Sequence, residues 1–137
     1  MESDSAYIST GLLSSDEYYR SVLESIIFDL TQADDVLLVG RAGQMIFRAQ
    51  PNSFHIRIVA PLDKRVPIIE RRFNLTNDAA RRKIEETERA RTDYLKRQYE
   101  ADIDDASLYD LCINTGKIPQ EDAVKLIVAA IKAAGLR

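Results

Sequence analysis

The stretch Val36-Leu37-Leu38-Val39-Gly40-Arg41-Ala42-Gly43 constrains this chain more than any other. Four consecutive apolar residues show no alternation, the pattern of a strand covered on both faces. Gly40 and Gly43 then bracket Arg41 where that strand ends, and they let the backbone bend or approach a ligand closely. Ligands of open parallel sheets bind outside the carboxyl ends of the strands. Gly40, Arg41 and Gly43 are therefore the first candidate site.

The elements around this strand follow from local signals. Ser14 and Glu17 form a capping-box pair. Behind them Tyr19, Val22, Leu23, Ile26, Ile27 and Leu30 recur at helical spacing, which predicts a helix to about residue 33. A short helix over 44–48 stops before the turn signal Gln50-Pro51-Asn52. Residues 54–59 alternate as a second strand, closed by Ala60-Pro61. A helix over 62–73 contains Pro67, which a first turn would tolerate. Thr76 caps the longest helix, 77–99. Leu111-Cys112-Ile113 reads as a third buried strand. Pro119 opens a last amphipathic helix to Ala134, with Glu121 and Asp122 in its first turn and Gly135 at its end. Strands alternating with helices predict an α/β fold with a parallel sheet.

A chain of 137 residues is long enough for one domain with a real core. The division expected is a flexible arm over 1–13 and a domain over 14–137. A net charge of −3 argues against a nucleic-acid surface. No apolar run approaches the ~18 residues of a membrane span, and no signal pattern opens the chain, so the expectation is a soluble cytoplasmic protein. Cys112 is the only cysteine. It forms no internal disulfide or thiolate cluster, and its apolar surroundings predict a reduced core thiol. No metal-ligand set is expected.

Basic residues gather at Lys64, Arg65, Arg71 and Arg72, and again from Arg81 to Arg97. Arg81/Glu85, Glu85/Arg89, Arg89/Asp93 and Asp93/Arg97 are i,i+4 pairs, and on spacing alone they favour a solvated, salt-bridged face. The alternative is a helical flap whose arginines close over phosphate, which guanidinium groups match in bidentate geometry. His55 has no second histidine nearby and reads as a packed or surface residue. Gly116-Lys117 reads as a turn, because Leu111 and Ile118 stand where a phosphate loop requires glycine and a hydroxyl residue.

Four segments in order carry a resemblance: Gly40-Arg41-Ala42-Gly43 after an apolar strand; Ile58-Val59-Ala60-Pro61-Leu62-Asp63-Lys64-Arg65; Glu88-Arg89-Ala90-Arg91-Thr92-Asp93-Tyr94; and Tyr109-Asp110-Leu111-Cys112-Ile113-Asn114-Thr115. Together they resemble the cytidylate kinase-like family, nucleoside monophosphate kinases of the phosphate-loop class. The resemblance implies a three-layer parallel sheet with flanking helices, here an incomplete phosphate-loop kinase-like core with a long helical lid. It implies that Arg41 contacts the monophosphate acceptor and that Arg65 and Arg71 lie on the helix bordering the lid. Arg89 and Arg91 would be the lid arginines that neutralise the transferred phosphoryl group. Asp110 and Asn114 match structural or site-edge positions. Ala42 stands where cytidylate kinases proper carry aspartate, so the base preference stays open.

The family's Gly-rich Lys-Ser/Thr loop, with its strand and helix, is not in this sequence. ATP and magnesium are therefore implied only if a phosphate loop is supplied elsewhere, and the chain alone is expected to be inactive. By the resemblance the missing strand is central, between 36–39 and 54–59. That leaves three expectations. The chain could be the acceptor-and-lid portion of a kinase completed by a phosphate-loop-bearing chain. It could be a degenerate kinase that only binds a nucleoside monophosphate or phosphate. It could be an interaction module that forms a homodimer through its incomplete sheet. No nucleic-acid or membrane partner is expected.

Overall fold

The computed structural model describes residues 14–32 and 35–136. The expected arm over 1–13 lies outside the described residues. The chain divides into two compact units, residues 1–41 and 42–137.

In the first unit α1 spans Ser15–Thr31. Ser14 Oγ accepts from the Glu17 amide at 3.2 Å, and the Glu17 carboxylate accepts from the Ser14 amide at 2.9 Å. Two amides that the helix itself cannot satisfy are thus paired reciprocally. Tyr19, Val22, Ile26 and Leu30 form an exposed stripe along one face of α1, while Ile27 is buried.

The buried strand expected at 36–39 is not formed. These residues are unpaired coil, with Leu37 87% and Val39 83% exposed. The physical reason is that a strand exists only as part of a ladder. No strand pairs with this segment among the described residues, so its apolar run has neither an edge partner nor a covering layer.

The tight turn expected after it is present. Gly40, Arg41 and Ala42 are successive left-handed residues, with φ of 76°, 60° and 55°. Only glycine takes that conformation without steric cost, and Arg41 and Ala42 adopt it nonetheless.

The second unit is mixed α/β around a two-stranded parallel sheet. It opens with the single-turn helix α2 (Gly43–Ile46), followed by β1 (Ile56–Val59). Two helices then cross over, α3 (Leu62–Phe73) and α4 (Asn77–Tyr99). A 3-10 turn at Ala106–Leu108 leads to β2 (Leu111–Asn114), and α5 (Gln120–Ala133) closes the fold. The register pairs Ile56 with Leu111 and Ile58 with Ile113.

Pro67 falls in the second turn of α3 rather than the first, and the helix continues through it. The hairpin of α3 and α4 is held by Val66, Ala80 and Ile84, packed with Leu62, Ile69 and Leu75. A second cluster joins Ala42, Leu95 and Leu108 with Tyr94, Tyr99 and Tyr109.

Cys112 is exposed, not a core thiol. Strand alternation turns Ile113 inward, 3% exposed, and so turns its neighbour outward. Among the described residues no helix is long and apolar enough to cross a membrane.

Candidate functional site

The α3–α4 hairpin carries a cleft that gathers three guanidinium groups, those of Arg65, Arg72 and Arg91. Asn74 takes a left-handed conformation at the end of α3, and Thr76 Oγ1 accepts from the Ala79 amide at the start of α4, so the two helices run antiparallel. Between them lies a cleft of about 360 Å³. Its floor is apolar, from Ile69 and Ile84, and its rim carries Arg65, Arg72, Lys83 and Arg91.

At the base of the hairpin Arg65 Nη1 donates to Glu88 Oε1. This pair spans the two helices. Arg65 Nε is buried without a hydrogen-bond partner among the described residues. Arg91, on the same rim, makes no ion pair among them. At the tip, Lys83 and Arg72 approach the Phe73 ring at 4.7 Å and 5.5 Å from its centroid. The cleft therefore presents four cations against one carboxylate, and that carboxylate is already engaged.

The salt-bridged face expected along α4 is not formed in its first half. Arg81/Glu85, Glu85/Arg89 and Arg89/Asp93 are all open among the described residues. Arg81 instead bonds Asp63 on α3 and Asn77 on its own helix, both at 3.0 Å. An exposed i,i+4 pair is worth only a few tenths of a kcal/mol, so a carboxylate presented by the neighbouring helix competes effectively.

The structure thus brings Arg65 and Arg91 to one cleft. Arg71 and Arg89 are exposed and outside its lining, and Arg71 Nε donates to the Pro67 carbonyl at 3.2 Å. Arg41 is exposed in the left-handed turn between Gly40 and the start of α2 at Gly43.

Asp110 and Asn114 act structurally. Asp110 Oδ2 accepts from the His55 amide at 2.7 Å, which extends the sheet register by one residue. Asn114 Oδ1 accepts from the Gly116 amide at 3.0 Å in the turn after β2. His55 Nε2 lies 3.3 Å from Ser53 Oγ, a packed histidine. Gly116 is in a turn, and a Cβ there would come within 2.3 Å of Pro61 Cδ. Close approach of the loops after β1 and β2 is the reason for that glycine.

One residue that spacing did not single out is Arg57 on β1. Its guanidinium bonds the Ile103 carbonyl and Asp104, the latter at 2.5 Å, and faces the Tyr109 ring at 5.6 Å. Burial raises the Tyr109 phenol above its usual pKa, against the opposing pull of Arg57. The available signal was the acidic run Asp102, Asp104 and Asp105 downstream of a strand arginine.

Among the described residues no three His, Cys, Asp or Glu side chains converge as a metal site.

Comparison with known proteins sharpens this picture. The model of the "cytidylate kinase-like family" matches residues 3–117. The cytidylate kinase of Methanocaldococcus jannaschii is 31% identical over 105 residues, which are 75% of this chain and 59% of that protein. A uronate isomerase of Corynebacterium glutamicum is 28% identical over 109 residues, 80% of this chain but only 20% of that one. Among solved structures, an uncharacterized protein from Eubacterium ventriosum superposes with a TM-score of 0.73 at 20% identity, covering 83% of this chain and 63% of that one. That last likeness is one of fold alone. The chain spans about three fifths of the cytidylate kinase it matches, and a fifth of the isomerase.

Proposed function

The chain belongs to the cytidylate kinase-like family, and we propose that it forms the acceptor-binding and lid portion of a nucleoside monophosphate kinase. The observation that carries this reading is the shared cleft of Arg65 and Arg91 on the α3–α4 hairpin. A dianionic phosphate placed at its base would take bidentate hydrogen bonds from Arg91 and compete with Glu88 for Arg65. Arg41, Gly40 and Gly43 supply a further anion contact in this reading, and Arg71 and Arg89 add positive potential.

Phosphoryl transfer is mostly positioning and charge stabilisation, and a phosphate loop holds the donor. This sequence contains no such loop. On this account the chain contributes arginines that bind the acceptor phosphate and screen the moving charge, while ATP and magnesium are held by a segment supplied elsewhere. The incomplete three-layer sheet is the matching structural expectation: among the described residues β1 is paired on one edge only.

A coupled assay of ATP-dependent CMP phosphorylation by the chain alone tests this division of labour. No turnover is expected. Robust turnover would overturn it.

A second reading, an interaction module that dimerises through its open sheet, is favoured by one observation. Ile58, on β1 of that sheet, is exposed. Loss of self-association on Ile58→Lys would support it, and a monomer at all concentrations would exclude it.

A further inference from the structure

Two surfaces are left over once Arg65 and Arg91 are assigned. One is the tip half of the hairpin cleft, where Ile68 is 54% and Phe73 46% exposed beside Arg72 and Lys83. The other is the stripe of Tyr19, Val22, Ile26 and Leu30 on α1, exposed along its whole length. Each is apolar, and their charges are opposite.

We propose that the tip of the α3–α4 cleft is a docking groove for α1 of a second copy of this chain. A helical hairpin presents a groove into which the ridge of a third helix packs, and an amphipathic helix lays its apolar face into such a groove. From Ile68 to Phe73 the tip of the groove runs about 8 Å at 1.5 Å per residue, so it takes about half of the ~16 Å stripe, the part around Ile26.

Charge selects the occupant. The groove sets Arg72 and Lys83 at its tip, and neither makes an ion pair among the described residues. Helix α1 carries Asp16, Glu17, Glu24 and Asp29 against a single Arg20. Helical phase places Asp29 beside Ile26 and Val22, at the border of the stripe. There its carboxylate is positioned to meet a rim cation. Like-charged surfaces would repel, so a second groove is not a competitor for this one. Where each α1 inserts into the other copy's groove, the same contact is made twice and the dimer is two-fold.

This contact is separate from the open sheet edge and from the phosphate contacts at the base of the cleft. Sedimentation equilibrium of the whole chain over a micromolar series tests it, with three variants. Ile26→Asp alters the stripe and Ile68→Asp the groove, both at positions more than half exposed, so the fold tolerates them; circular dichroism checks this. Each variant alone should raise the dimer dissociation constant at least tenfold. Mixing the two should restore association in part, because one contact then joins an unaltered stripe to an unaltered groove. Lys83→Glu should weaken the dimer and Ile58→Lys should leave it intact.

A monomer throughout would overturn the proposal. So would dimers that persist in both Ile26→Asp and Ile68→Asp, or a dimer lost only with Ile58→Lys, which would assign association to the sheet edge. Anion affinity is read separately at Arg91, so either result stands without the other.

Discussion

Arg65 on α3 and Glu88 on α4 form an ion pair across the hairpin, and the cleft they border places Arg91 on the same rim. Glu88 thereby occupies the guanidinium that a phosphate would use. Replacing it by Gln removes the competing charge and keeps the shape. Glu88→Gln should tighten binding of inorganic phosphate or CMP several-fold. The pair is substantially exposed, on the Glu88 side 51%, so its loss should cost stability less than about 1 kcal/mol. Calorimetry and urea denaturation measure the two effects separately.

Much of this hairpin was legible from residue order. The bounds 62–73 and 77–99 follow from Ala60-Pro61 ahead of the first helix and the Thr76 cap of the second, both of which are local. The cleft itself was less legible. Arg81 turned to Asp63 rather than Glu85, because the geometry of a neighbouring helix is not written in i,i+4 spacing. The segment 36–39 misled for a related reason: an apolar run specifies a strand only when another strand lies beside it. Cys112 was misplaced because the run Leu111-Cys112-Ile113 looks uniformly apolar, while the strand turns alternate residues to opposite faces. Arg57 escaped notice because its partners lie more than 45 residues downstream.

Gly116 tests the packing of the loops at the carboxyl ends of the strands. A Cβ there would meet Pro61 Cδ at 2.3 Å, and proline is a rigid neighbour. Gly116→Ala should destabilise the second unit by about 1–3 kcal/mol, the range for overpacking. A urea midpoint equal to that of the parent would show that the two loops separate freely.

The amino-terminal cap of α1 should respond to acid. Hydrogen bonds from Ser14 hold the Glu17 carboxyl below its ordinary pKa. A depressed folded value means that the stabilisation is present above the unfolded pKa and is lost as pH falls through the folded one. Thermal melts should therefore decline on acidification below the normal glutamate range. Ser14→Ala, which removes one of the two cap bonds, should make that decline shallower. Superimposable pH profiles for parent and variant would contradict the assignment.

The most direct test of the account is a calorimetric titration of CMP into the parent chain and into Arg91→Ala, an exposed change that leaves both apolar clusters untouched. Hydrogen bonds to charged groups are worth about 1.5–3 kcal/mol. Saturable binding by the parent, weakened by roughly tenfold or more in Arg91→Ala, is the predicted result. No measurable binding by the parent, or the same affinity in both, would contradict the assignment of this cleft to the acceptor phosphate.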